Sequence, residues 1–293
     1  MKQLTDLKGY QIIGNHSAVK TCLWLKKALK DLGFCYKQKF YEIESHRCLQ
    51  MTPALICNQT CIHCWRPLEL LKDFRGWDEP EKIVEESIKA QKRLLSGFYG
   101  TKGINIKKLK EAEEPNQVAI SLIGEPTLYP HLPKLIECYR SMGFTTFLVT
   151  NGTMPQMIEK VNPTQLYISL TAFDERSHLE LNRPAKSLWD RILKSLKAMS
   201  NSKSRRVIRL TLMKGINMHE KAIERFNKLI RIAEPDYVEA KAYMFLGYSR
   251  LRLEYGNMPN HSDIVEFSKR LSELGYEIVD EVDQSRVCLL RPI

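Results

Sequence analysis

Cys57-Asn58-Gln59-Thr60-Cys61-Ile62-His63-Cys64 sets three thiols at C-x3-C-x2-C spacing inside one short segment. Three thiolates are soft ligands that suit an iron–sulfur cluster, whereas a closed structural zinc site needs four protein ligands. A triad therefore leaves one iron without a protein ligand, and an open position is where chemistry occurs. The alternative is three ordinary buried thiols. His63 stands beside the last cysteine and reads as a packing residue, not a ligand.

The run Leu49–Ile56 before this segment is apolar enough for a strand, so the cysteines begin where a strand ends. From Cys48 onward the same rhythm repeats. Candidate strands at Gln117–Ile123, Thr145–Thr150, Gln165–Thr171, Arg206–Leu212 and Tyr237–Tyr243 alternate with candidate helices at Pro80–Ser96, Leu132–Met142, Pro155–Lys160, Leu188–Ser200, His219–Ile232 and Ser262–Leu274. Six such βα units predict an α/β fold of the partial (β/α)6 barrel type, with parallel strands and reactive groups at their C-terminal ends. Residues 1–47 read as an N-terminal extension, with a helix over Ser17–Leu32 and an extended piece over Phe34–Glu42. Residues 48–275 form the barrel. Residues 276–293 add strands at Tyr276–Val282 and Val287–Leu290.

The chain has 293 residues, 43% of them hydrophobic, which is enough to bury a full core. No apolar leader or membrane-length apolar stretch is present, so a cytoplasmic protein that avoids membranes is expected. Eight cysteines without a secretory signal fit metal binding better than a disulfide framework. The net charge of +11 fits a polyanionic partner, which charge alone does not identify. Lys107, Lys108 and Lys110, in the excursion Tyr99–Pro115, are either a solvated face or an RNA contact.

Cys22, Cys35 and Cys48 are a second set, thirteen residues apart each time. That spacing matches no zinc module, and a second three-thiolate cluster competes with scattered core thiols. If Phe34–Phe40 is extended, Cys35, Lys37 and Lys39 share one face, with Phe34, Tyr36 and Phe40 on the other. A desolvated lysine there can act as an amine nucleophile toward a carbonyl; two solvated strand lysines are the other reading.

Ser121-Leu122-Ile123-Gly124-Glu125-Pro126-Thr127 ends the second barrel strand, and Gly124 lets backbone approach a ligand closely. Asn151-Gly152 and Ser169-Leu170-Thr171 end the next two strands, presenting Asn151 and Ser169 at the same rim. The cysteine spacing resembles the signature of radical S-adenosylmethionine (SAM) enzymes. In that superfamily the free iron holds the amino and carboxylate groups of SAM, and the reduced cluster cleaves SAM to a 5′-deoxyadenosyl radical. Gly124-Glu125 resembles the superfamily motif that accepts hydrogen bonds from the methionine amino group. Asn151 and Ser169 suit ribose or carboxylate contacts.

Over Ser17 to Leu290 the chain more closely resembles the 4-demethylwyosine synthases of the wybutosine pathway, in their archaeal single-domain form. The segments that carry this are Met51-Thr52-Pro53-Ala54 with the triad and Trp65-Arg66-Pro67, Val118 to Pro130, Ser169-Leu170-Thr171-Ala172, and Asn182-Arg183-Pro184. The resemblance implies two 4Fe–4S clusters, the second on Cys22, Cys35 and Cys48, and a lysine two residues after the middle upstream cysteine that captures pyruvate. This favours Lys37 over Lys39. It further implies that the deoxyadenosyl radical takes hydrogen from the N1-methyl group of N1-methylguanosine beside the anticodon of phenylalanine tRNA. The carbon radical then adds to the lysine-held pyruvate, the carboxylate fragment is lost, and imine exchange releases the lysine as C2 and C3 close a third ring. The tRNA contacts expected are Arg66, Arg75, Lys107, Lys108, Lys110 and Arg183, with the target nucleotide splayed out of its loop. Eukaryotic relatives carry a flavodoxin-like electron-donor domain. Here a separate donor protein is expected, and a monomer. Two other readings remain at this point: a radical SAM enzyme acting on a protein or small molecule, and a non-catalytic zinc-holding RNA-binding module.

Overall fold

The computed structural model describes residues 9–67 and 76–293. They fall into two compact units, drawn from Met1–Cys57, Glu69–Val149 and Val161–Thr164, and from Asn58–Leu68, Thr150–Lys160 and Gln165–Ile293.

The first unit runs β1 (Gln11–Ile13), β2 (Ser17–Val19), α1 (Leu23–Ala28), α2 (Tyr36–Tyr41), β3 (Cys48–Thr52), α3 (Pro80–Ser96), α4 (Ile106–Ala112), β4 (Gln117–Ile120), α5 (Leu132–Ser141) and β5 (Thr145–Thr150). Strands β3, β4 and β5 are parallel, with Cys48 opposite Gln117 and Gln117 opposite Thr145. Antiparallel β2 and β1 extend the β3 edge. All four residues of β4 are buried, as expected of a parallel strand covered on both faces. Helix α3 opens with Pro80 at its first turn and buries Ile83, Val84, Ser87, Ala90, Gln91 and Leu95, one stripe at helical spacing.

The second unit runs α6 (Pro155–Ile158), β6 (Gln165–Leu170), α7 (Glu175–Asn182), α8 (Trp189–Ser200), β7 (Arg205–Leu212), α9 (Glu220–Ala233), β8 (Tyr237–Ala242), α10 (His261–Ser272), β9 (Tyr276–Val282) and β10 (Val287–Pro292). Here β6, β7 and β8 are parallel, and β10 runs antiparallel between β8 and β9. Three parallel strands in each unit make up the six expected. Among the described residues β1 pairs only with β2 in the first unit, and β9 only with β10 in the second.

Several elements differ from expectation, among them β1 and α7, which form where no element is expected. Ser17–Val19 is a strand, because pairing Ala18 with Thr52 and Val19 with Met51 satisfies its backbone while burying both side chains completely. The segment expected to be extended over 34–42 is helical across Tyr36–Tyr41 and ends on Glu42 in the left-handed region at φ 57°. In the excursion before β4, α4 is capped by Asn105, whose side chain accepts from the Lys108 amide at 3.2 Å.

His16 anchors the turn between β1 and β2. It is fully buried; its Nδ1 donates to the Pro53 carbonyl at 2.6 Å, and its Nε2 accepts from the Asp78 amide at 2.7 Å. Trp77 and Tyr129 pack against the ring. Accepting at Nε2 requires a neutral imidazole, and burial holds the His16 pKa below its ordinary value. The unfolded chain takes up this proton near pH 6.5 and the folded one only at lower pH. Stability should therefore be fully present above about pH 6.5 and decline as pH falls toward the lowered pKa. Urea unfolding at pH 7.5 and pH 5 should show this loss, and His16→Phe should make it smaller. An unchanged pH dependence in the variant would remove His16 as a contributor.

Candidate active site

All six cysteines of the two sets are half-buried. In the first unit Cys22 caps α1, its Sγ accepting from the Leu25 amide at 3.2 Å. Cys35 occupies the same position on α2, and its amide donates to Ser45 Oγ at 2.8 Å. Cys48 opens β3. The three thiols act on one another electrostatically. Burial, and then Cys35, push the Cys22 thiol up to about 11. Cys48 is driven higher by burial and by Cys22, while nearby Lys37 pulls it down. Cys22, Cys35, Cys48 and Lys37 thus form one cluster of side chains.

The helical conformation separates the two lysines. Residues two apart on a strand share a face, but on a helix they are turned about 200° from each other. Lys37 is buried, only 9% exposed, with Nζ 4.1 Å from the centre of the Phe147 ring, whereas Lys39 is exposed. The expectation that both share the Cys35 face is corrected on this ground.

At the rim of β4, Gly124 has φ +73°, and a Cβ there would lie 1.9 Å from the Ala54 carbonyl oxygen and 2.6 Å from that of Ile56. Only glycine fits so close an approach. The next residue, Glu125, is 2% exposed; its amide donates to the Ile56 carbonyl at 2.8 Å. Its Oε1 accepts from the Thr127 amide at 3.0 Å and from Thr127 Oγ1 at 2.5 Å. The Gly124-Glu125 turn is in this way fastened to the strand exit that leads into Cys57.

In the second unit the cysteine segment is splinted by the end of α7. The amides of Thr60 and Ile62 donate to the carbonyls of Asn182 and Leu181 at 3.0 and 2.9 Å, and Gln59 bridges to Pro184. Ile62 packs with Leu181, Met213 and Tyr243. Asn182 Nδ2 donates to Cys61 Sγ at 3.3 Å, and Arg252 donates to the Ile62 carbonyl at 3.2 Å and to that of Cys64. Burial, then the neighbouring Cys64, push the Cys61 thiol up to about 12. His63 is pressed down to about 4 by burial and then by Arg252, and its Nε2 lies 3.4 Å from Thr171 Oγ1. Asn151 at the end of β5 donates to Asn58 Oδ1 at 3.0 Å and accepts from Thr153 Oγ1 at 2.7 Å, which in turn accepts from Asn58 Nδ2 at 2.8 Å. Ser169 lies near the end of β6, half-buried.

The candidate RNA-contacting residues are scattered. Arg66 lies over the Trp65 ring at 4.8 Å. Arg183 is exposed in the left-handed position that ends α7. On α4, Lys107 and Lys110 are exposed, while Lys108 is engaged by Asp31. Arg75 lies outside the described residues. Four residues that sequence reasoning does not single out for the site are Asn58, Phe147, Asn182 and Arg252. Asn182 stands next to Arg183, in a segment that carries part of the family resemblance; Arg252 contacts a loop 190 residues away in sequence, and no local pattern signals it.

Among the described residues, no three His, Cys, Asp or Glu side chains stand close enough to hold a single metal ion. A four-iron cluster asks for something different: one thiolate per iron, spread around a bulky core. Thiols whose ionisation is disfavoured, as at Cys22 and Cys48 in one set and Cys61 in the other, need an electropositive group to become ligands, which the iron of a cluster would supply.

Comparison with known proteins agrees with this geometry. Residues 51–226 match the radical SAM superfamily, and residues 232–291 match the wyosine base formation family. A tRNA 4-demethylwyosine synthase of Pyrococcus abyssi is 52% identical over 96% of this chain and 85% of its own length. One from Methanocaldococcus jannaschii is 44% identical over 96% and 92%. The solved structure of TYW1 with a lysine–pyruvate adduct bound superposes with a TM-score of 0.88 at 43% identity, covering 97% of this chain and 92% of that one. Parallel strands, cysteine loop and near full-length identity converge: the chain belongs to the radical SAM superfamily and, within it, to the S-adenosylmethionine-dependent tRNA 4-demethylwyosine synthases.

Proposed function

We propose that this protein makes 4-demethylwyosine by joining C2 and C3 of pyruvate to N1-methylguanosine in phenylalanine tRNA. The observation that carries the reading is Lys37, a buried amine set among Cys22, Cys35 and Cys48 with an aromatic ring beneath it. Taking an ammonium out of water costs several kcal/mol. In general burial disfavours the charged ammonium, and the neutral amine is the form that attacks a ketone. Lys37 Nζ would add to C2 of pyruvate and expel water, giving an imine, while Phe147 packs under the nitrogen and keeps it oriented. The solved relative with a lysine–pyruvate adduct supports this chemistry.

Cys57, Cys61 and Cys64 would hold one 4Fe–4S cluster, and Cys22, Cys35 and Cys48 a second in the 1–47 extension and at the start of the 48–275 barrel. Bound SAM, with an electron from the first cluster, supplies a 5′-deoxyadenosyl radical. Gly124 keeps backbone close to the strand exit, and Glu125 offers a carboxylate to the methionine amino group. Asn151, oriented by Asn58 and Thr153, and Ser169 serve the ribose or carboxylate. Arg66, Arg75, Arg183 and the α4 lysines are assigned to tRNA phosphates. The reading is completed by a separate electron-donor protein, a monomeric state and a cytoplasmic location; among the described residues no helix is long and apolar enough to cross a membrane.

Replacing Cys57, Cys61 or Cys64 by alanine should abolish 5′-deoxyadenosine formation under dithionite, and persistent formation would sink the SAM-cluster assignment. Cys22→Ala, Cys35→Ala and Cys48→Ala should instead lose about half the iron and all tRNA product while retaining some SAM cleavage. Full iron content in these variants would rule out a second cluster.

Borohydride added to enzyme with labelled pyruvate should fix the label on Lys37. Lys37→Arg keeps the charge, cannot form an imine, and should be inactive with iron content unchanged. Label on Lys39, or on no lysine, would overturn the assignment.

Affinity for tRNA should fall steeply with salt as phosphate contacts release counterions. Because Lys108 is already engaged by Asp31, the α4 contribution rests on Lys107 and Lys110. Changing both to glutamine should lower the log–log salt slope by about two. An unchanged slope would return α4 to a solvated face.

A further inference from the structure

Cys61 receives a hydrogen bond from a side chain whose backbone already does the work of holding the loop. Asn182 ends α7 and is 9% exposed. Its backbone carbonyl splints the cysteine loop by accepting from Thr60, which leaves the side chain free of that task. The side-chain amide uses its two hydrogens on Gln59 Oε1 at 3.4 Å and on Cys61 Sγ at 3.3 Å. With Gln59 presenting Oε1 on this side, Oδ1 there would meet another oxygen, and against a thiolate sulfur only the N–H orientation is attractive. Gln59 is held from the other side by His178 of the same helix, Nε2 to Nε2 at 3.0 Å. As a thiol, Cys61 also donates to Gln59 Oε1 at 3.4 Å. Ligation of iron removes that proton, and with it the bond to Gln59. The N–H of Asn182 then becomes the side-chain donor to the ligating sulfur.

A donor on a ligand sulfur stabilises the electron-rich, reduced cluster more than the oxidised one, so hydrogen bonds to sulfur raise a cluster's reduction potential. We infer that Asn182 is a positioning residue for the SAM-binding cluster: through its N–H to Cys61 Sγ it orients that ligand and raises the potential at which the cluster accepts its electron. Arg252 acts in the same direction from the opposite end of the loop, its guanidinium bonded to the Ile62 and Cys64 carbonyls. It lies in the segment matched by the wyosine base formation family, so the family-specific part of the chain reaches back to the superfamily's cysteine loop. The consequence for the reaction is a balance: a higher potential lets a weaker electron donor load the cluster, at the expense of driving force for cleaving SAM.

The inference rests on the proposed cluster at Cys57, Cys61 and Cys64, and the test separates the two. Wild-type enzyme, Asn182→Leu and Asn182→Asp are reconstituted anaerobically; iron and sulfide are counted, and the EPR signal that changes when SAM is added is followed in a redox titration. Leucine keeps the volume without a donor. Aspartate keeps the shape and adds a negative charge. Expected are wild-type iron content in both variants, a more negative midpoint potential for leucine, and a further negative shift for aspartate. An unchanged potential with iron retained overturns the inference. So does loss of the cluster from both variants, since the side chain would then only hold the loop. A wild-type protein without a SAM-sensitive cluster signal would instead overturn the proposed cluster itself.

Discussion

Buried thiols that cannot ionise by themselves are the constraint around which this protein is organised. Cys22, Cys48 and Cys61 are all pushed upward, first by burial and then by a neighbouring cysteine. An isolated buried anion is prohibitively expensive, so such groups either stay neutral or pair with a cation. The iron–sulfur core proposed for each set would supply that cation. Around each set the chain supplies what sulfur requires: an amide from Leu25 to Cys22, an amide from Asn182 to Cys61, a lysine beside Cys48 and an arginine beneath Cys64.

The rest of the fold delivers those groups to strand ends. Buried parallel strands such as β4 are rigid because both faces are packed, and their exits are the places where side chains are released from packing duty. Gly124 shows how tightly the exits are built. Its backbone approaches the Ala54–Ile56 carbonyls so closely that no side chain can stand there. The Asn58, Asn151 and Thr153 network spends its hydrogen bonds on itself and so presents fixed orientations.

Much of this arrangement is legible in the order of the residues. The cysteine triad, the βα rhythm and Gly124-Glu125 are local patterns, and local patterns survive because strand period, helix period and ligand spacing are written into consecutive residues. Helix α3 and strand β5 have the ends that their sequences suggest, since Pro80 and the β-branched run Thr145–Thr150 mark them. Short elements are less legible. Helix α2 has six residues and is flanked by tertiary partners: Ser45 binds the Cys35 amide, and its own amide donates to Gln38. Six residues carry too little propensity to announce a helix against a strand.

That one element shows how responsibility divides. The amino-acid order alone determines the C-x3-C-x2-C triad, three further cysteines upstream at thirteen-residue spacing and a lysine two residues after Cys35, because each is a matter of spacing along the chain. Which lysine is buried, which asparagine touches sulfur and which arginine reaches the cysteine loop depend on contacts between residues more than a hundred and up to 190 positions apart. A strand would have set Lys37 and Lys39 side by side; packing against Ser45 and Phe147 makes the segment a helix, turns the two apart, and buries Lys37 beside the cysteines while Lys39 stays exposed.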